Sequence, residues 1–321
     1  MEDAAIGNVD AVGDMLKKLS TLWKTRAAVN LDLPDYWGLA YDPTKSDFSE
    51  LLLPFRDHPS WTAAPSELRS KVLSYAWAIY NLKTVYIECN VVTPACEDFI
   101  KAPPSSINRA AVQDVMSQVL LDEALHTRMS IMACNYIYEK NGIPPLEFVN
   151  FNLVQWRENL LSNCNADWER RLTRFAVACA SETLITDYLK TMAEDNSIQP
   201  ICHEVTRTHA IDEWGHSSVL STVAMDVVHG LSNRERDYLR QVIVKTVQMF
   251  ANNELGAWAK VFSMLQFAPG RDMLRDIGDT NEISVYTHSV ETLLERVGLT
   301  RNEGNVSTLA EAADKREGAL V

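Results

Sequence analysis

Glutamates on the apolar faces of predicted helices constrain the fold of this chain more than any other feature. Glu88 and Glu182 each have mostly apolar residues one helical turn away, and Glu123 and Glu213 lie on two further predicted helices. Burying a lone carboxylate is costly, and four that face one another also repel. They must be protonated or paired with cations, unless the predicted helix phases are wrong. No lysine or arginine lies on the inner positions near Glu123, Glu182 or Glu213, so bound metal ions are the simplest explanation.

The chain carries two copies of one short motif. Residues 122–126 read DEALH and residues 212–216 read DEWGH. In each copy glutamate and histidine are three residues apart, so on a helix both project from one face and can bind one metal. Short motifs of this kind also arise by chance. The upstream partners Glu88 and Glu182, each on its own predicted helix, make the pattern specific.

The order Glu, Glu-x-x-His, Glu, Glu-x-x-His on four successive helices is the ligand pattern of ferritin-like di-metal carboxylate bundles. Four carboxylates balance two divalent cations. Mixed carboxylate and imidazole ligation suits iron better than zinc or magnesium, with manganese as the competitor. We therefore expect an all-α, ferritin-like four-helix bundle with additional helices and an N-terminal arm, which holds two iron ions and uses them to activate dioxygen.

A further histidine extends the second motif. His209 lies four residues before Glu213 and seven before His216, so the three share one stripe of a helix. It is a seventh candidate ligand, with a core histidine as the alternative. Asp122 and Asp212 directly precede the motif glutamates and are candidate acceptors for the N–H groups of ligand histidines. The predicted metal ligands are Glu88, Glu123, His126, Glu182, His209, Glu213 and His216.

Around this pattern the chain is predicted to form one helical domain. Its parts are an N-terminal helix and irregular arm over 1–65, the di-metal bundle over 66–230, additional helices over 231–300 and a flexible tail over 301–321. Pro94 predicts a kink or widened turn in the first long helix of the bundle. A capping box of Ser232 and Glu235 predicts a fifth helix that continues until Pro269.

The composition argues against several classes of protein. The net charge is −13, and no dense run of lysine and arginine suggests binding to nucleic acid or to an anionic membrane. We expect no signal peptide, and no apolar stretch is long enough to span a membrane. None of the 6 cysteines forms a C-x-x-C pair, so reduced cysteines and a cytoplasmic location are expected.

The candidate ligands and the aspartate at 122 resemble those of the diiron arylamine N-oxygenases. The resemblance covers roughly residues 66–230, and the histidine at 209 separates this family from other ferritin-like oxygenases. It implies a homodimer and a diiron centre that binds O2 as a bridging peroxo species. The implied reaction oxidises a primary aromatic amine through hydroxylamine toward nitroso or nitro products, with electrons from an external reductase or carrier. Antibiotic or other secondary-metabolite biosynthesis is the implied setting.

The same resemblance suggests where the substrate binds. Family members that act on aromatic carboxylates place a cation near the centre to hold the acid group. Tyr80 and Lys83, upstream of Glu88 on its predicted helix, are the candidates here. A lysine makes a point-charge contact where an arginine would form a bidentate fork, so Lys83 departs from the expected pattern. A solvated helix residue is the alternative for Lys83.

Other functions use similar helices. A ribonucleotide reductase radical subunit needs a tyrosine beside the cluster, and none lies three, four or seven positions from the four glutamates. A desaturase or a hydroxylase acting on carbon keeps six ligands and has no need of His209. A non-catalytic iron-storage or metal-sensing bundle is a further alternative, although storage proteins are usually shorter chains.

The substitution His209→Ala separates a seven-ligand from a six-ligand centre. With His209 as a ligand, the variant should keep most of its iron. When the reduced variant is mixed with O2, the change in its absorption spectrum should differ from that of the parent. The rate at which the variant oxidises an amine should differ as well. Metal analysis, stopped-flow spectra and product analysis measure the three quantities. A variant that matches the parent in all of them would contradict the prediction.

Overall fold

The computed structural model describes residues 2–33, 35–103, 108–278 and 284–300. Within these ranges the chain forms helices and connecting segments, with one isolated parallel bridge between Ser46 and Ile198. The predicted all-α class is confirmed. In chain order the α-helices are α1 (Glu2–Arg26), α2 (Pro59–Thr62), α3 (Ser66–Ile87), α4 (Thr93–Lys101), α5 (Arg109–Asn141), α6 (Asn152–Ser162), α7 (Asp167–Glu194), α8 (Pro200–His229), α9 (Asn233–Phe250), α10 (Leu255–Met264), α11 (Gly270–Ile277) and α12 (Ser284–Arg296).

The core of the molecule is a bundle of the long helices α3, α5, α7 and α8. Helix α5 packs against α3 and α8, and α7 packs against α8. Gly142, at φ +58°, ends α5 in the left-handed conformation that glycine adopts without strain. Pro200 occupies the first turn of α8, where no N–H is needed. None of the helices in the described ranges combines the length and apolarity that crossing a membrane requires.

A π-helical turn, Glu88–Val92, joins α3 and α4 into one continuous helix. This is the widened turn predicted from Pro94, located just before the proline. A proline ring clashes with the carbonyl four residues earlier and lacks an N–H, so the backbone gains from the looser π turn at this point. The turn begins at Glu88, whose side chain is buried. One irregularity of the backbone therefore coincides with a candidate ligand.

The predicted length of the fifth helix is wrong. Ser232 and Glu235 form the expected capping box, but the chain leaves α9 before Asn252 instead of continuing toward Pro269. The Asn252 side chain accepts a hydrogen bond of 2.9 Å from the Glu254 N–H, which offers the backbone a turn in place of a helix. Glu254 then adopts φ +52° before α10 begins. The short helix α11, after Pro269, was not predicted.

The N-terminal region packs closely onto the bundle. Helix α1 lies across α5 and α8, and it buries Val12, Leu16 and Leu19, which recur at the helical spacing. The segment after α1 buries Phe48 and Phe55 against the core. The flexible tail predicted over 301–321 lies outside the described residues.

A buried aspartate attaches the arm to the bundle. One oxygen of Asp47, Oδ2, accepts hydrogen bonds from the Ser74 hydroxyl on α3 (2.6 Å) and from the Asn141 side-chain amide on α5 (2.9 Å). Burial raises the pKa of Asp47 to about 6 and outweighs these two hydrogen bonds. Below that pH the folded protein holds a proton that the unfolded chain releases near its ordinary value of 3.8.

Asp47→Asn is expected to weaken the pH dependence of stability. The folded pKa lies above the unfolded one, so the free energy of unfolding of the parent falls as pH rises from 4 to 6, with about 3 kcal/mol assigned to this group. The variant should lack that part of the decrease in urea titrations. The surface change Asp57→Asn is the control for loss of one aspartate. If the free energy of unfolding changes with pH in the same way in the parent and in Asp47→Asn, the assignment is contradicted.

Candidate metal centre

All the predicted metal ligands meet at one place inside the bundle. Their side chains are buried, with the exposed fraction of each residue at 3% or less. Three overlapping groups have ligand atoms within 4.8 Å of one another, the distance at which they could share a metal ion. The groups are Glu88, His126, His209 and Glu213; Glu123, His126, Glu213 and His216; and Glu88, Glu123 and Glu182.

The carboxylates of Glu123 and Glu213 lie between the two motif histidines. Glu123 is 3.0 Å from both His126 Nδ1 and His216 Nδ1. Glu213 is 3.3 Å from His126 Nδ1 and 3.4 Å from His216 Nδ1. Each glutamate therefore contacts the histidine of its own motif and that of the other helix. This central position is the one a carboxylate needs to bridge two ions.

The remaining candidates flank this central pair. His216 Nδ1 lies 3.2 Å from Glu182 on one side. On the other side His209 Nε2 lies 2.9 Å from Glu213 and 3.8 Å from Glu88. The His126 and His209 rings are 4.0 Å apart between centroids. One half of the cluster thus holds two imidazoles, and the other half holds one.

Two aspartates contact the outer nitrogens of the motif histidines, and they do so crosswise. His126 Nε2 is 3.0 Å from Asp212 Oδ2 on α8. His216 Nε2 is 3.1 Å from Asp122 Oδ2 on α5. Each aspartate therefore contacts the histidine of the other motif. With an ion bound, an Nε2–H donated to these carboxylates would leave Nδ1 of each ring as the nitrogen that faces the glutamates and binds the metal.

The N-terminal region holds both aspartates in place. Trp23 on α1 donates its indole N–H to Asp122 Oδ2 at 2.8 Å. The backbone N–H of Ala28, just after α1, donates to Asp212 Oδ1 at 2.9 Å. Each aspartate thus accepts one bond from the N-terminal region and contacts one histidine of the centre. Helix α1 is therefore part of the support of the site.

The buried charges shift one another's acidity strongly. Burial, followed by the neighbouring glutamates, raises the pKa of Glu88 and of Glu182 well above the ordinary value. For the central pair the motif histidines outweigh burial, so the pKa of Glu123 falls to about 2 and that of Glu213 falls well below its ordinary value. Burial also lowers the pKa of His209, which favours the neutral imidazole that binds metals.

This donor set fits two divalent cations. Glu88 Oε2 and Glu213 Oε2 are buried and have no hydrogen-bond donor among the residues described. Buried carboxylate oxygens are rarely left without a partner, and such an atom calls for an ion or a water. Four carboxylates and three imidazoles match the preferences of a first-row transition metal.

A cavity of about 120 Å³ lies beside the cluster. Its lining includes Thr84 and Ile185, which precede Glu88 and follow Glu182 by one helical turn. Its walls are mainly apolar, as expected for a pocket that takes a small organic molecule. The cavity therefore approaches the centre from the side of α3 and α7.

The predicted substrate residues Tyr80 and Lys83 both line this cavity. The Tyr80 ring stacks on that of Tyr188, with centroids 5.5 Å apart. Lys83 is not a solvated helix residue, because its Nζ lies 2.9 Å from Glu254 Oε1 and both side chains are largely buried. The cation expected for a substrate acid is already paired with an acid of the protein.

Comparison with protein families matches residues 10–298 to the family described as p-aminobenzoate N-oxygenase AurF. This chain belongs to that family. Among curated proteins it is similar to a 4-aminobenzoate N-oxygenase from Streptomyces thioluteus, with 26% identity over 263 residues. The aligned part covers 80% of this chain and 76% of that protein. The match does not favour the alternatives of carbon oxidation or non-catalytic iron binding.

The family match extends beyond the region that carried the sequence resemblance. The resemblance covered about 66–230, whereas the match includes most of α1 and ends inside 284–300. The contacts of Trp23 and Ala28 explain why α1 belongs to the functional unit. Sequence reasoning missed both residues, and it missed Glu254. Their contacts join positions far apart in the chain, and no local spacing signals them.

Trp23→Phe is expected to destabilise the protein by about 1 to 2 kcal/mol. The change removes the indole donor and leaves the oxygen of the buried Asp122 with one partner fewer. Trp214→Phe, on a side chain that is 58% exposed on α8, is the matched control and should stay within about 0.5 kcal/mol of the parent. Urea unfolding measures both. Equal effects of the two changes would show that the Trp23–Asp122 bond contributes nothing.

Proposed function

We propose that this protein is an O2-dependent N-oxygenase with two iron ions. Its substrate is a primary aromatic amine, which it oxidises through the hydroxylamine toward nitroso or nitro products. The proposal is supported by family membership together with one structural observation, the burial of Glu88, Glu182, the two Glu-x-x-His motifs and His209 at a single centre. The extra histidine beside the motif on α8 is the feature that separates this family from other ferritin-like oxygenases.

In this proposal the ligands divide into two sets around the central glutamates. His126, His209 and Glu88 would hold one ion, and His216 and Glu182 would hold the other, with Glu123 and Glu213 as ligands between them. Iron is preferred over manganese because the set contains three imidazole donors, and imidazole suits iron while carboxylate and water suit manganese. The bound iron supplies the redox chemistry that activates O2.

The protein's own residues orient the ligands and the substrate. Asp122 and Asp212 accept the outer N–H of the motif histidines and so fix the nitrogen that faces the ions. The cavity orients the amine toward the side of Glu88 and Glu182 between mainly apolar walls. Burial, Glu213 and Glu88 raise the pKa of Tyr80, which keeps its hydroxyl protonated as a hydrogen-bond donor at the cavity wall.

Electron balance calls for a reductant. Formation of a hydroxylamine from an amine and O2 inserts one oxygen atom and releases the other as water, which consumes two electrons and two protons per turnover. We therefore propose an external reductase or a reduced carrier as a partner. A homodimer, a cytoplasmic location and a role in antibiotic or other secondary-metabolite biosynthesis complete the proposal, and these rest on the family resemblance.

The proposal predicts iron content and amine oxidation that depend on Glu123. Protein purified with iron available should hold about two irons per chain and, with a reductant and O2, convert an arylamine to its hydroxylamine or more oxidised products. Glu123→Ala should lose at least half of the iron and nearly all activity, because it removes a ligand shared by both ions. Glu139→Ala, an exposed position on the same helix, is the control.

Metal analysis and chromatography with mass detection measure the two quantities. Protein that carries two irons but leaves every arylamine unchanged, with normal O2 consumption, would contradict N-oxygenation. Protein that binds manganese in preference to iron when both are supplied would contradict the metal assignment alone.

A further inference from the structure

The cavity beside the centre contains a charge pair that the family resemblance does not provide. Among the described residues that line it, Lys83 and Glu254 are the charged ones. Lys83 Nζ lies 2.9 Å from Glu254 Oε1, and the exposed fraction of the two side chains is 17% and 5%. A cation and an anion held this closely leave the cavity wall with no net charge.

The pair is held by the fold on both sides. Lys83 Nζ also donates to the Phe250 carbonyl at 3.2 Å. Glu254 Oε2 accepts from the backbone N–H of Asn152 at 3.1 Å, and the Glu254 N–H donates to Asn252 Oδ1. Both charged groups are therefore fixed before any ligand arrives. Lys83 Nζ thus donates one hydrogen bond to a backbone carbonyl and lies within ion-pair distance of the Glu254 carboxylate.

The backbone at Glu254 indicates that its position serves more than packing. This residue has φ +52°, in the left-handed region that favours glycine and is strained for other residues. Such strain persists where the surrounding structure demands it, and it is common at binding sites. The break between α9 and α10 brings the carboxylate of Glu254 onto α3 at Lys83.

Two acceptor oxygens of residues in this wall, Asn253 Oδ1 and Glu254 Oε1, have no hydrogen-bond donor among the described residues. Asn253 lines the cavity, donates its amide to the Gly278 carbonyl at 3.0 Å, and has a buried Oδ1 with no donor within the described part of the chain. The Glu254 carboxylate adds further acceptor capacity. A ligand group that donates hydrogen bonds can pair with these oxygens, and a group that only accepts hydrogen bonds cannot.

We propose that Glu254 determines specificity by neutralising Lys83. The cavity then selects aromatic amines whose remote end is neutral and donates hydrogen bonds, such as a carboxamide or a hydroxyl group, and it rejects aromatic carboxylates. A carboxylate would have to share Lys83 with Glu254, and the wall would then carry a net negative charge in a largely buried place. This inference rests on the proposed arylamine substrate and names its class.

The experiment compares two ligands of nearly equal shape, 4-aminobenzamide and 4-aminobenzoate. Their dissociation constants are measured by calorimetry on the iron-loaded full-length protein without O2, so that no turnover is needed. The parent should bind the carboxamide at least about tenfold more tightly. Glu254→Gln frees Lys83 and should shift the ratio by about tenfold or more toward the carboxylate.

Two further variants serve as controls for the loss of a glutamate charge and for an unpaired lysine. Glu67→Gln breaks an exposed glutamate–lysine pair on the same helix, Glu67 with Lys71, and should leave the ratio unchanged. The double change Lys83→Met with Glu254→Gln removes both charges, so no cation is left buried and unpaired. The double variant should bind the carboxamide as tightly as the parent does. It should not show the tighter binding of the carboxylate that is expected for Glu254→Gln.

A parent that binds 4-aminobenzoate as tightly as the carboxamide, or more tightly, would overturn the inference. A ratio of the two dissociation constants in Glu254→Gln that lies within about twofold of the parent's ratio would also overturn it. The same holds if the parent binds neither ligand. Because binding is measured without O2, a failure of N-oxygenation would leave the selectivity intact and would be recognised separately by product analysis.

Discussion

The need to compensate buried carboxylate charge at the centre of the bundle governs the rest of this structure. Glu88, Glu123, Glu182 and Glu213 come from four helical segments and meet where water is excluded. Carboxylates in such a place are stable only with opposite charge or protons beside them. The raised pKa values of the outer pair and the lowered values of the central pair express that need. Two divalent cations would replace protons as the balancing charge.

The support of the centre extends outward in layers. Histidines contact the glutamates, aspartates contact the histidines, and α1 with the residue at 28 donates to the aspartates. The crosswise pairing means that Asp122 on α5 orients a histidine on α8, and that Asp212 on α8 orients a histidine on α5. A displacement of either helix along its axis would therefore disturb both halves of the centre. The same bonds make the N-terminal helix a structural requirement of the site.

In the proposal for the cavity, one residue distant in sequence sets the charge of its wall. The relative from Streptomyces thioluteus is named for 4-aminobenzoate, an acid. In this chain the only lysine on the cavity wall, among the residues described, is paired with Glu254, which arrives from the break between α9 and α10. Candidate metal ligands and cavity-lining residues lie on the same two helical segments, α3 with its π-helical turn and α7. A change of charge at the far wall can thus alter substrate choice without touching the centre.

The sequence by itself determined which residues share a face of each helix. The spacing within the two Glu-x-x-His motifs, together with Glu88 and Glu182 upstream, predicted the four-helix class and the membership of the cluster. Pro94 predicted the widened turn.

Only the tertiary structure decided which face of one helix packs against which face of its neighbours. The spacing of residues on one helix does not specify the rotation and register of its neighbours, so the partner of Asp122, 94 residues away, could not be read from the chain. The pairing of Lys83 with Glu254 depends likewise on where α9 ends, and that end is set by local turn bonds and packing that outweigh helix-forming residues.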